Sequence, residues 1–380
     1  MATLLLNWGV VRGEREVHAE NRHQAILRKL REEGSLRVSD FAAELGVSPV
    51  TVRRDVEILA DRGLVARVHG GAMLPDTWAE TAPTGTAPGA RASGAGTPGA
   101  GAAGRQRVIG LIVPSADYYY PEVIKGAREA AAAHNLRLVL DISGYDAGEE
   151  RTQVERMIGD GVDGLLVVPS GPRGWYEELP VPVVIVERRP EADEVAGIDH
   201  VLSDHVHGAR LAVRHLAEAG RRHLVLLVRG TSPTAQWIIE GFEAGVRAAG
   251  LEAPRTTSVL DLGDAGHGSP EYDTPVEALL DAAAEGRVDA VIAHPDNEAL
   301  ALLRRLRARS IPVPGKVAIV SYDDEVAGLA DIPLSAIAPA KREVGAAAVE
   351  LVVRRLDQPD APRHRLFVLP QLRARSSSGG

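Results

Sequence analysis

The sequence predicts two folded parts of different class, a small α+β module near the N-terminus and a larger α/β part after it. The chain has 380 residues, which is more than one ordinary domain. Residues 75–106 are rich in Gly, Ala, Pro, Thr and Ser and lack hydrophobic periodicity, which is typical of a disordered linker. Beyond the linker, short apolar runs alternate with helical patterns as far as residue 376. This alternation predicts parallel sheets covered by helices.

Composition excludes several classes of protein. The net charge of −9 argues against a protein that coats nucleic acid non-specifically, although residues 19–74 carry nine basic and eight acidic residues and could read DNA. The absence of cysteine excludes disulfides and thiol nucleophiles. No apolar run is long enough for a membrane span, and the N-terminus lacks the basic region of a signal peptide. We therefore expect a cytoplasmic protein without a membrane partner.

Residues 1–18 are predicted to be an N-terminal extension, and the compact module begins at residue 19. Apolar residues three and four positions apart indicate two helices in the module. The first, which ends near Gly34, contains Ile26, Leu27 and Leu30, and the second, which ends at Gly46, contains Phe41 and Leu45.

A third helix begins at Ser48-Pro49, where a hydroxyl cap precedes proline at the first helical position. Its apolar residues predict one buried face, so the polar residues between them face outward. The inward set is Val52, Val56 and Leu59, and the outward set is Val50, Arg53, Arg54 and Glu57, with Thr51 on the flank. Residues 64–68 and 72–74, separated by Gly70-Gly71, predict a small hairpin or wing.

This arrangement is that of a helix-turn-helix, in which the second helix braces a third helix whose N-terminal end enters the major groove. Arginine there can bind guanine through two hydrogen bonds or clamp a phosphate. Spacing alone leaves open a three-helix bundle with a solvated arginine face.

In the linker, Gly94-x-Gly96-x-x-Gly99 matches a dinucleotide-binding pattern. Since neither a strand before it nor a helix after it is predicted, we interpret the match as fortuitous.

Residues 108–376 predict an open α/β architecture. The predicted strands are 108–113, 136–140, 165–168, 183–186, 224–228, 288–292 and 317–320. The predicted helices are 121–134, 148–160, 205–219, 235–249, 275–285, 297–309 and 342–356.

Ligands of such sheets bind beyond the carboxyl ends of the strands. The segments that follow these strands carry hydroxyls, carboxylates and several of the chain's few aromatic side chains. That mixture suits a polyhydroxylated or heterocyclic small molecule, although any single one of these residues could equally cap a helix or satisfy a loop backbone. The candidate effector-binding residues are Asp117, Tyr119, Tyr120, Ser170, Glu187, Arg188, Ser232, Thr234, Trp237, Asp296 and Asp323.

Three ordered motifs of the N-terminal module resemble the DeoR-family winged helix-turn-helix. They are Arg22-His23-Gln24-x-Ile26, Gly46-Val47-Ser48-x-x-Thr51-Val52-Arg53-Arg54-Asp55 and Arg67-Val68-His69-Gly70-Gly71-Ala72. The resemblance implies a DNA-binding domain over residues 19–74 and a double-stranded DNA operator as partner. It places Ser48, Thr51, Arg53 and Arg54 on the recognition helix and Arg67, His69 and Gly70 in the wing.

The α/β part resembles the sensor domain of LacI/GalR-type regulators, which is related to periplasmic sugar-binding proteins of type I. The motifs include Ile109-Gly110-Leu111-Ile112-Val113, Gly161-Val162-Asp163-Gly164-Leu165, Asp204-x-x-x-Gly208-Ala209, Gly241-Phe242 and Tyr322-Asp323-Asp324. The resemblance covers residues 107–377. It implies two lobes joined by chain crossings near 200, 340 and 367, with a small-molecule effector between them and a homodimer as the assembly.

Two positions depart from that family's pattern. Ile238 stands where the family usually has an arginine that anchors effector hydroxyls, and Pro295 stands where it has an asparagine before Asp296. The linker also replaces the hinge helix that the family inserts into the minor groove. These departures put an ordinary hexose or pentose effector in doubt.

An enzyme is the main alternative, in the form of a sugar-modifying enzyme fused to a DNA-binding module. The sequence has no phosphate-binding loop of the Walker type, no Gly-x-Ser-x-Gly elbow and no His-Glu-x-x-His motif. His205 and His207 lie two apart on a predicted helix, so we expect them to be solvated. We therefore predict no catalytic residues, no metal and no cofactor, and a ligand-responsive transcriptional repressor.

Overall fold

In the computed structural model the chain divides into two compact units, residues 1–103 and 104–380, and each is described by itself. The residues described are 22, 25–26, 29–30, 35–45, 47–61, 65–68, 71–73, 105–190, 197–251 and 258–379. The predicted extension 1–18 and linker residues 75–104 lie outside them.

The first unit combines helices with a three-stranded antiparallel sheet of order β1-β3-β2. Residues 22, 25–26 and 29–30 are helical. They are followed by β1 (Ser35–Arg37), α1 (Val38–Leu45), α2 (Pro49–Asp61), β2 (Ala66–Val68) and β3 (Gly71–Met73).

Burial in the first unit confirms the predicted inward face of the third helix. Val52, Val56 and Leu59 of α2 are at most 2% exposed and share the core with Ile26 and Leu30. Strand β1 was not predicted, because in a three-residue strand only Leu36 is buried and no alternation can be read from so short a run.

The second unit contains two six-stranded sheets, and each forms one lobe with its helices. In the first lobe all strands are parallel, in the order β14-β8-β7-β6-β4-β5. Its elements are β4 (Val108–Val113), α3 (Tyr120–Ala133), β5 (Arg137–Ile142), α4 (Ala147–Gly159), β6 (Gly164–Val167), β7 (Val183–Val186), β8 (Asp199–Ser203), α9 (Lys341–Asp357) and β14 (Arg365–Val368).

The second lobe has the strand order β10-β9-β11-β12-β13-β15, and only the pair β13–β15 is antiparallel. Its elements are α5 (His205–Glu218), β9 (Leu224–Val228), α6 (Ala235–Ala248), β10 (Ser258–Asp261), α7 (Pro270–Ala284), β11 (Ala290–His294), α8 (Asp296–Ala308), β12 (Ala318–Tyr322), β13 (Ser335–Ala338) and β15 (Gln371–Arg373). Separate apolar clusters around Phe242 and Tyr272 pack against this sheet.

The chain passes between the two sheets three times, after β8, after β13 and after β14. The first passage runs through Asp204, whose carboxylate caps α5 by accepting from the His207 N–H at 2.8 Å. The second leads into α9, which returns to the first lobe and packs on α3. Gly126 and Gly345 let these helices meet, since a Cβ at either would lie 2.0 Å or less from a backbone oxygen of the other helix.

The predicted helices and apolar strands are present, with differences at certain ends. Helix α7 begins at Pro270 rather than at 275, because Ser269 caps it. Strands β8, β10, β13, β14 and β15 were not predicted as strands. None of the described helices combines the length and the apolar character that a membrane span needs.

Candidate functional site

Helix α2 begins as the sequence predicts. The Ser48 hydroxyl accepts a hydrogen bond from the Thr51 N–H at 3.1 Å and lies 2.8 Å from the Thr51 hydroxyl. Both side chains remain at least partly accessible to solvent. The cap therefore fixes the start of the helix and leaves its first turn available to a ligand.

The outer face of α2 presents two arginines. Arg53 and Arg54 are exposed, and Val50 beside them is 70% exposed. On the inner side, the Arg22 guanidinium donates to the buried carboxylate of Asp55 at 2.8 Å and so fastens α2 to the N-terminal helical residues. The arrangement offers two guanidinium groups on a rigid helix, which suits phosphate or guanine contacts.

The wing is described only in part. Arg67 lies on β2, which pairs with β3, but its side chain is outside the described residues, as are His69 and Gly70. The roles of these three residues therefore stay predictions.

In the second unit, a cavity of about 250 Å³ opens between the lobes. We call it the interlobe cavity. Its walls come from loops after strands of the first lobe and from the start of α6 in the second lobe. The lining residues are Tyr145, Pro169, Ser170, Gly171, Arg173, Arg188, Pro233 and Trp237.

Ser170 is held in place by buried polar groups. Its N–H donates to the Glu150 carboxylate at 2.7 Å, and its hydroxyl lies 3.2 Å from that of Ser143. The Tyr176 hydroxyl donates to the same carboxylate. Glu150 therefore orients the loop that presents Ser170 to the interlobe cavity.

Arg188 is a buried guanidinium whose position is fixed by neutral groups. Its Nε–H donates to the Pro169 carbonyl at 2.9 Å and one Nη1–H donates to the Glu187 carbonyl at 2.8 Å. The Tyr120 side chain, which is 6% exposed, is a further hydrogen-bond partner. Arg188 thus reaches the interlobe cavity as a positioned cation.

Glu187 is the acceptor at the centre of a buried cluster. Its carboxylate accepts from the Tyr119 hydroxyl at 2.8 Å, the Ser203 hydroxyl at 2.8 Å and the Ser203 N–H at 3.0 Å. Burial raises the pKa of Glu187 and that of Tyr119. These oxygens are therefore already engaged by the protein, and neither Tyr119 nor Glu187 lines the interlobe cavity.

Asp296 is engaged in the same way at the start of α8. Its carboxylate accepts a hydrogen bond from the Ser321 hydroxyl. It also accepts from the N–H groups of residues 325, 326 and 327, at 2.7 Å for residue 325 and 2.9 Å for residue 326. It has no exposed surface. Four donors fill the usual capacity of a carboxylate, so this side chain holds the loop after β12.

Asp323 lies in that loop with a φ of +100°, in a backbone region that L-residues rarely adopt. Burial raises the pKa of its carboxyl to about 7, and the ring of His294 lies 3.7 Å away. The Lys341 ammonium donates to the Asp323 carbonyl and to the Glu325 carboxylate. Because Lys341 begins α9, this contact ties the loop of the second lobe to a helix of the first.

His205 is buried, which makes the expectation of a solvated residue wrong. It is 2% exposed, its Nδ1 lies 3.3 Å from the Tyr322 hydroxyl, and its ring stacks near Trp237 at 6.1 Å. Burial lowers the pKa of His205 to about 3 and that of His294 to about 4, so both imidazoles are neutral at pH 7. His205 contacts Tyr322 of β12 and Trp237 of α6, and His294 lies beside Asp323. Sequence spacing does not reveal these contacts, because the partners are distant in the chain.

The other predicted effector residues do not line the cavity. The Asp117 N–H donates to the Ser115 hydroxyl at 3.0 Å. The Ser232 and Thr234 hydroxyls are 3.2 Å apart on either side of Pro233. Of the eleven predicted effector residues, only Ser170, Arg188 and Trp237 line the interlobe cavity.

Among the lining residues that sequence reasoning missed are Tyr145 and Arg173. Tyr145 lies three residues beyond the end of β5, where the rule that ligands bind beyond strand ends also points. Arg173 lies farther along the loop after β6, where nothing in the sequence marks it.

Further polar contacts join the two lobes. The Arg189 guanidinium lies 3.0 Å from the Glu240 carboxylate on α6, and the Tyr118 hydroxyl accepts from the Asp296 N–H at 3.1 Å. The lobes are therefore joined by side-chain contacts as well as by the three chain passages.

The structure shows the surroundings of the two positions that depart from the family pattern. Ile238 has no exposed surface and packs in the core of the second lobe, so the apolar side chain suits its place. Pro295 follows a cis peptide bond after His294 and precedes α8.

The chain matches two families of known domains. Residues 22–77 match the DeoR-like helix-turn-helix domain, and residues 213–378 match the periplasmic binding protein-like domain. Among curated proteins, the ribose operon repressor of Escherichia coli K12 is 26% identical over 279 residues, which is 70% of this chain and 81% of the relative. The transcriptional repressor PurR of Vibrio atlanticus is also 26% identical, over 71% of this chain and 81% of its own.

Solved structures share the fold of the second unit. The transcription regulator GntR from Chromobacterium violaceum has a TM-score of 0.59 at 23% identity, over 72% of this chain and all of its own. A LacI-family regulator from Enterococcus faecium with bound ribose has a TM-score of 0.57 at 20% identity, over 71% of this chain and 98% of its own.

These similarities and the exposed arginine face of α2 define the class, which is that of DNA-binding transcriptional regulators that respond to a ligand. Within it, the chain joins a DeoR-like helix-turn-helix domain to a periplasmic binding protein-like domain.

Proposed function

We propose that this regulator is a cytoplasmic homodimeric repressor. Its affinity for operator DNA falls or rises when a small polar metabolite binds in the interlobe cavity. The observation that carries the proposal is the cavity itself, with walls from both lobes, together with polar contacts between the lobes. A ligand that fills such a cavity favours the closed arrangement of the lobes and can shift DNA affinity only by its difference in affinity for the two states.

We infer a contact set for each ligand. For DNA it is Ser48, Thr51, Arg53, Arg54, Arg67, His69 and Gly70. For the effector, Ser170, Arg188 and Trp237 make the direct contacts. Tyr119, Tyr120, Glu187, Asp296 and Asp323 position them, because each is hydrogen-bonded within the protein and all but the half-buried Tyr119 are buried.

The domain boundaries in this proposal are residues 19–74 for DNA binding, 75–106 for the linker and 107–377 for the sensor. The division into units at residue 103 supports them. So do two ion pairs just after it, from Arg105 to Asp163 and from Arg107 to Asp357, each 2.6 Å long. These pairs anchor the start of the sensor to the first lobe.

The proposal includes no catalytic step. Both curated relatives described above are repressors. No cluster of three or more metal-binding side chains occurs in the part of the chain that the structure describes.

The test is a screen of sugars, sugar phosphates, polyols and nucleosides for a change in the melting temperature of the full-length protein. Ribose is the first compound to try, since one relative is named a ribose operon repressor and one solved structure contains ribose. Each hit is then added to an anisotropy titration of an operator fragment selected from genomic DNA. A ligand that stabilises the protein and changes operator affinity supports the proposal. Stabilising ligands that leave operator affinity unchanged would contradict it.

A further inference from the structure

A buried pair of hydrogen-bond acceptors lies where the two lobes meet. Glu187 follows β7 of the first lobe, and His205 begins α5 of the second lobe. The His205 Nε2 atom lies 3.9 Å from Glu187 Oε2, and both side chains are at most 2% exposed. Nε2 has no hydrogen-bond partner among the described residues. We call His205 Nε2 and Glu187 Oε2 the acceptor pair.

The position of the hydrogen on the His205 ring follows from its contact with Tyr322. The Tyr322 hydroxyl donates its single hydrogen to the His205 carbonyl at 3.2 Å. The same hydroxyl oxygen lies 3.3 Å from His205 Nδ1, so this second contact requires that Nδ1 carry a hydrogen. The imidazole is neutral at pH 7, because burial lowers its pKa to about 3. Nε2 therefore has a lone pair and no hydrogen.

The Glu187 carboxylate can accept one more hydrogen bond. Its three hydrogen bonds come from Tyr119 and Ser203, and a carboxylate offers about four lone-pair sites. The distance of 3.9 Å is too long for a direct hydrogen bond between Glu187 and His205. A buried acceptor that lacks a donor is unfavourable. The acceptor pair is therefore suited to a ligand group that donates to both of its atoms.

The geometry of the acceptor pair selects the donor group. An atom about 2.9 Å from both acceptors makes an angle with them that is near a right angle, which two hydrogens on one nitrogen can match. A hydroxyl group has one hydrogen and leaves the other acceptor without a donor. Besides burial and His294, the positive charges of Arg188 and Lys341 lower the pKa of His205. The same charges oppose an ammonium group, which favours a neutral NH2 group.

The acceptor pair adjoins the interlobe cavity at two places. Arg188 and Trp237 line the cavity. Arg188 follows Glu187 in the chain and donates to its carbonyl, and the Trp237 ring stacks near the His205 ring at a centroid distance of 6.1 Å. An aromatic wall and a volume of about 250 Å³ suit a small flat ring molecule.

We propose that His205 determines the specificity of the effector site, and that the effector is a small flat ring molecule whose neutral NH2 group donates to both atoms of the acceptor pair. The inference rests on the proposed function in placing the effector between the lobes. Because Glu187 belongs to the first lobe and His205 to the second, one NH2 group bound to both stabilises the closed arrangement of the lobes.

The test compares compounds that differ in the NH2 group: adenine with purine, cytosine with the pyrimidinone that lacks its amino group, and nicotinamide with 3-acetylpyridine. The first two pairs carry the NH2 group on the ring and the third carries it in a carboxamide, so the pairs distinguish these two sources. Calorimetric titration of the full-length protein gives the dissociation constants. We expect the amino member of at least one pair to bind about tenfold more tightly than its partner, which corresponds to about 1.4 kcal/mol.

His205→Asn is the informative variant. The shorter amide can keep the contact with the Tyr322 hydroxyl, but it places no acceptor at the position of Nε2. The variant should bind the two members of a pair with affinities within about threefold of each other. His207→Asn is the matched control, because His207 lies on the same helix with a partly buried side chain. It should keep the preference for the amino compound.

A second measurement uses the wild-type protein and does not depend on the folding of a variant. With nitrogen-15 in the histidine rings, the Nε2 resonance of His205 should have the chemical shift of a nitrogen without a hydrogen. It should move in the direction of a hydrogen-bonded acceptor when the amino compound is added, and not when its partner is added. A His205 ring with its hydrogen on Nε2 would overturn the inference.

Equal affinities within every pair would overturn the inference, as would a preference that His205→Asn leaves unchanged. A lack of binding by all three amino compounds at millimolar concentration would also overturn it. If ribose alone bound and changed operator affinity, the proposed function would stand and the inference would fail. If an amino compound bound as expected but operator affinity did not change, the inference would stand and the proposed function would fail.

Discussion

At the residue scale, the side chains that reach a ligand differ from those that hold the site together. Ser170, Arg188 and Trp237 line the interlobe cavity. Asp296 and Glu187 are of the chemical type that binds hydroxyl groups, and the sequence predicted that role for them. Asp296 instead accepts backbone N–H groups some thirty residues later in the chain. Residue type predicts what a carboxylate can accept, but only the fold decides which donors reach it first.

The two arginines of α2 lead to the first prediction. Arg53→Ala and Arg54→Ala should each weaken operator binding by roughly 1–3 kcal/mol if the lost contact is to a base. If the lost contact is to a phosphate, a plot of the logarithm of the binding constant against the logarithm of the salt concentration should become less steep by about one unit. Anisotropy titrations at several salt concentrations measure both effects. Arg287→Ala is the control, because Arg287 is exposed on the second lobe and pairs with Glu285. Normal binding by both α2 variants would mean that another surface reads the DNA.

The buried histidines lead to a prediction of pH dependence. Burial lowers the pKa of His294 to about 4 from its ordinary value of 6.5, so between these values the unfolded chain binds the extra proton. The free energy of unfolding should therefore rise with pH across this window, be fully gained above pH 6.5 and be lost toward pH 4. Asp323, whose pKa is raised to about 7, contributes with the opposite sign between about pH 4 and 7.

The variant His294→Gln isolates the histidine contribution. Its loss of stability between pH 7 and pH 5 should be smaller than that of the wild type by on the order of 2 kcal/mol. Urea unfolding of the full-length protein, followed by circular dichroism at both pH values, gives the comparison. Equal losses in the two proteins would show that His294 is not held neutral by burial.

At the element scale, most of the strands that the sequence predicts contain an unbroken apolar run. Strands β4, β7 and β9 are unbroken runs of Val, Ile, Leu and Gly and are almost wholly buried. Strand β8 is equally buried but contains Asp199 and His200, and Asp199 is neutralised by Arg355 of α9 at 2.9 Å. Strand β14 lies at a sheet edge with Leu366 and Phe367 exposed. Neither has the apolar run that predicts a buried strand.

The close contact of α3 with α9 fixes where α9 packs on the first lobe. It leads to a prediction about the stability of the protein. Gly345→Ala places a Cβ 2.0 Å from the Val123 carbonyl oxygen, so the helices must separate. We expect a loss of roughly 1–3 kcal/mol from this overpacking. Gly159→Ala is the matched control, because that glycine is also helical and a Cβ there meets nothing within 4 Å. Thermal unfolding of both variants measures the difference, and equal melting temperatures would contradict the close packing.

At the scale of the whole molecule, the linker sets the means by which the sensor could act. The sequence predicts that residues 75–106 are disordered, and such a segment of about thirty residues would transmit almost no torque and would span roughly 30 Å as a random coil. We therefore expect the sensor to act through effective concentration, by controlling whether two winged helices are held as a pair. Their half-sites would lie about 34 Å apart or a multiple of that. The anchors of Arg105 and Arg107 on the first lobe mark where the spacing between protomers would be set.

That account predicts a joint change in assembly and in DNA affinity. The effector should shift either the dimer equilibrium or the distance between labels placed at Gln106 of the two protomers. Sedimentation and fluorescence energy transfer, both with and without effector, measure these quantities. A change in operator affinity with both quantities constant would mean that the linker is ordered or docked on the sensor.

The most direct measurement of lobe coupling is operator affinity with the lobes held together. The chain has no cysteine, so Arg189→Cys and Glu240→Cys introduce a single pair that a short bis-maleimide can bridge across the interlobe cavity. Each single variant treated with the same reagent is the control. The bridged protein should bind operator with the affinity of the effector-saturated wild type and should not respond further to effector. A bridged protein that keeps the effector-free affinity, or that still responds to the effector in full, would contradict the claim that lobe closure controls DNA binding.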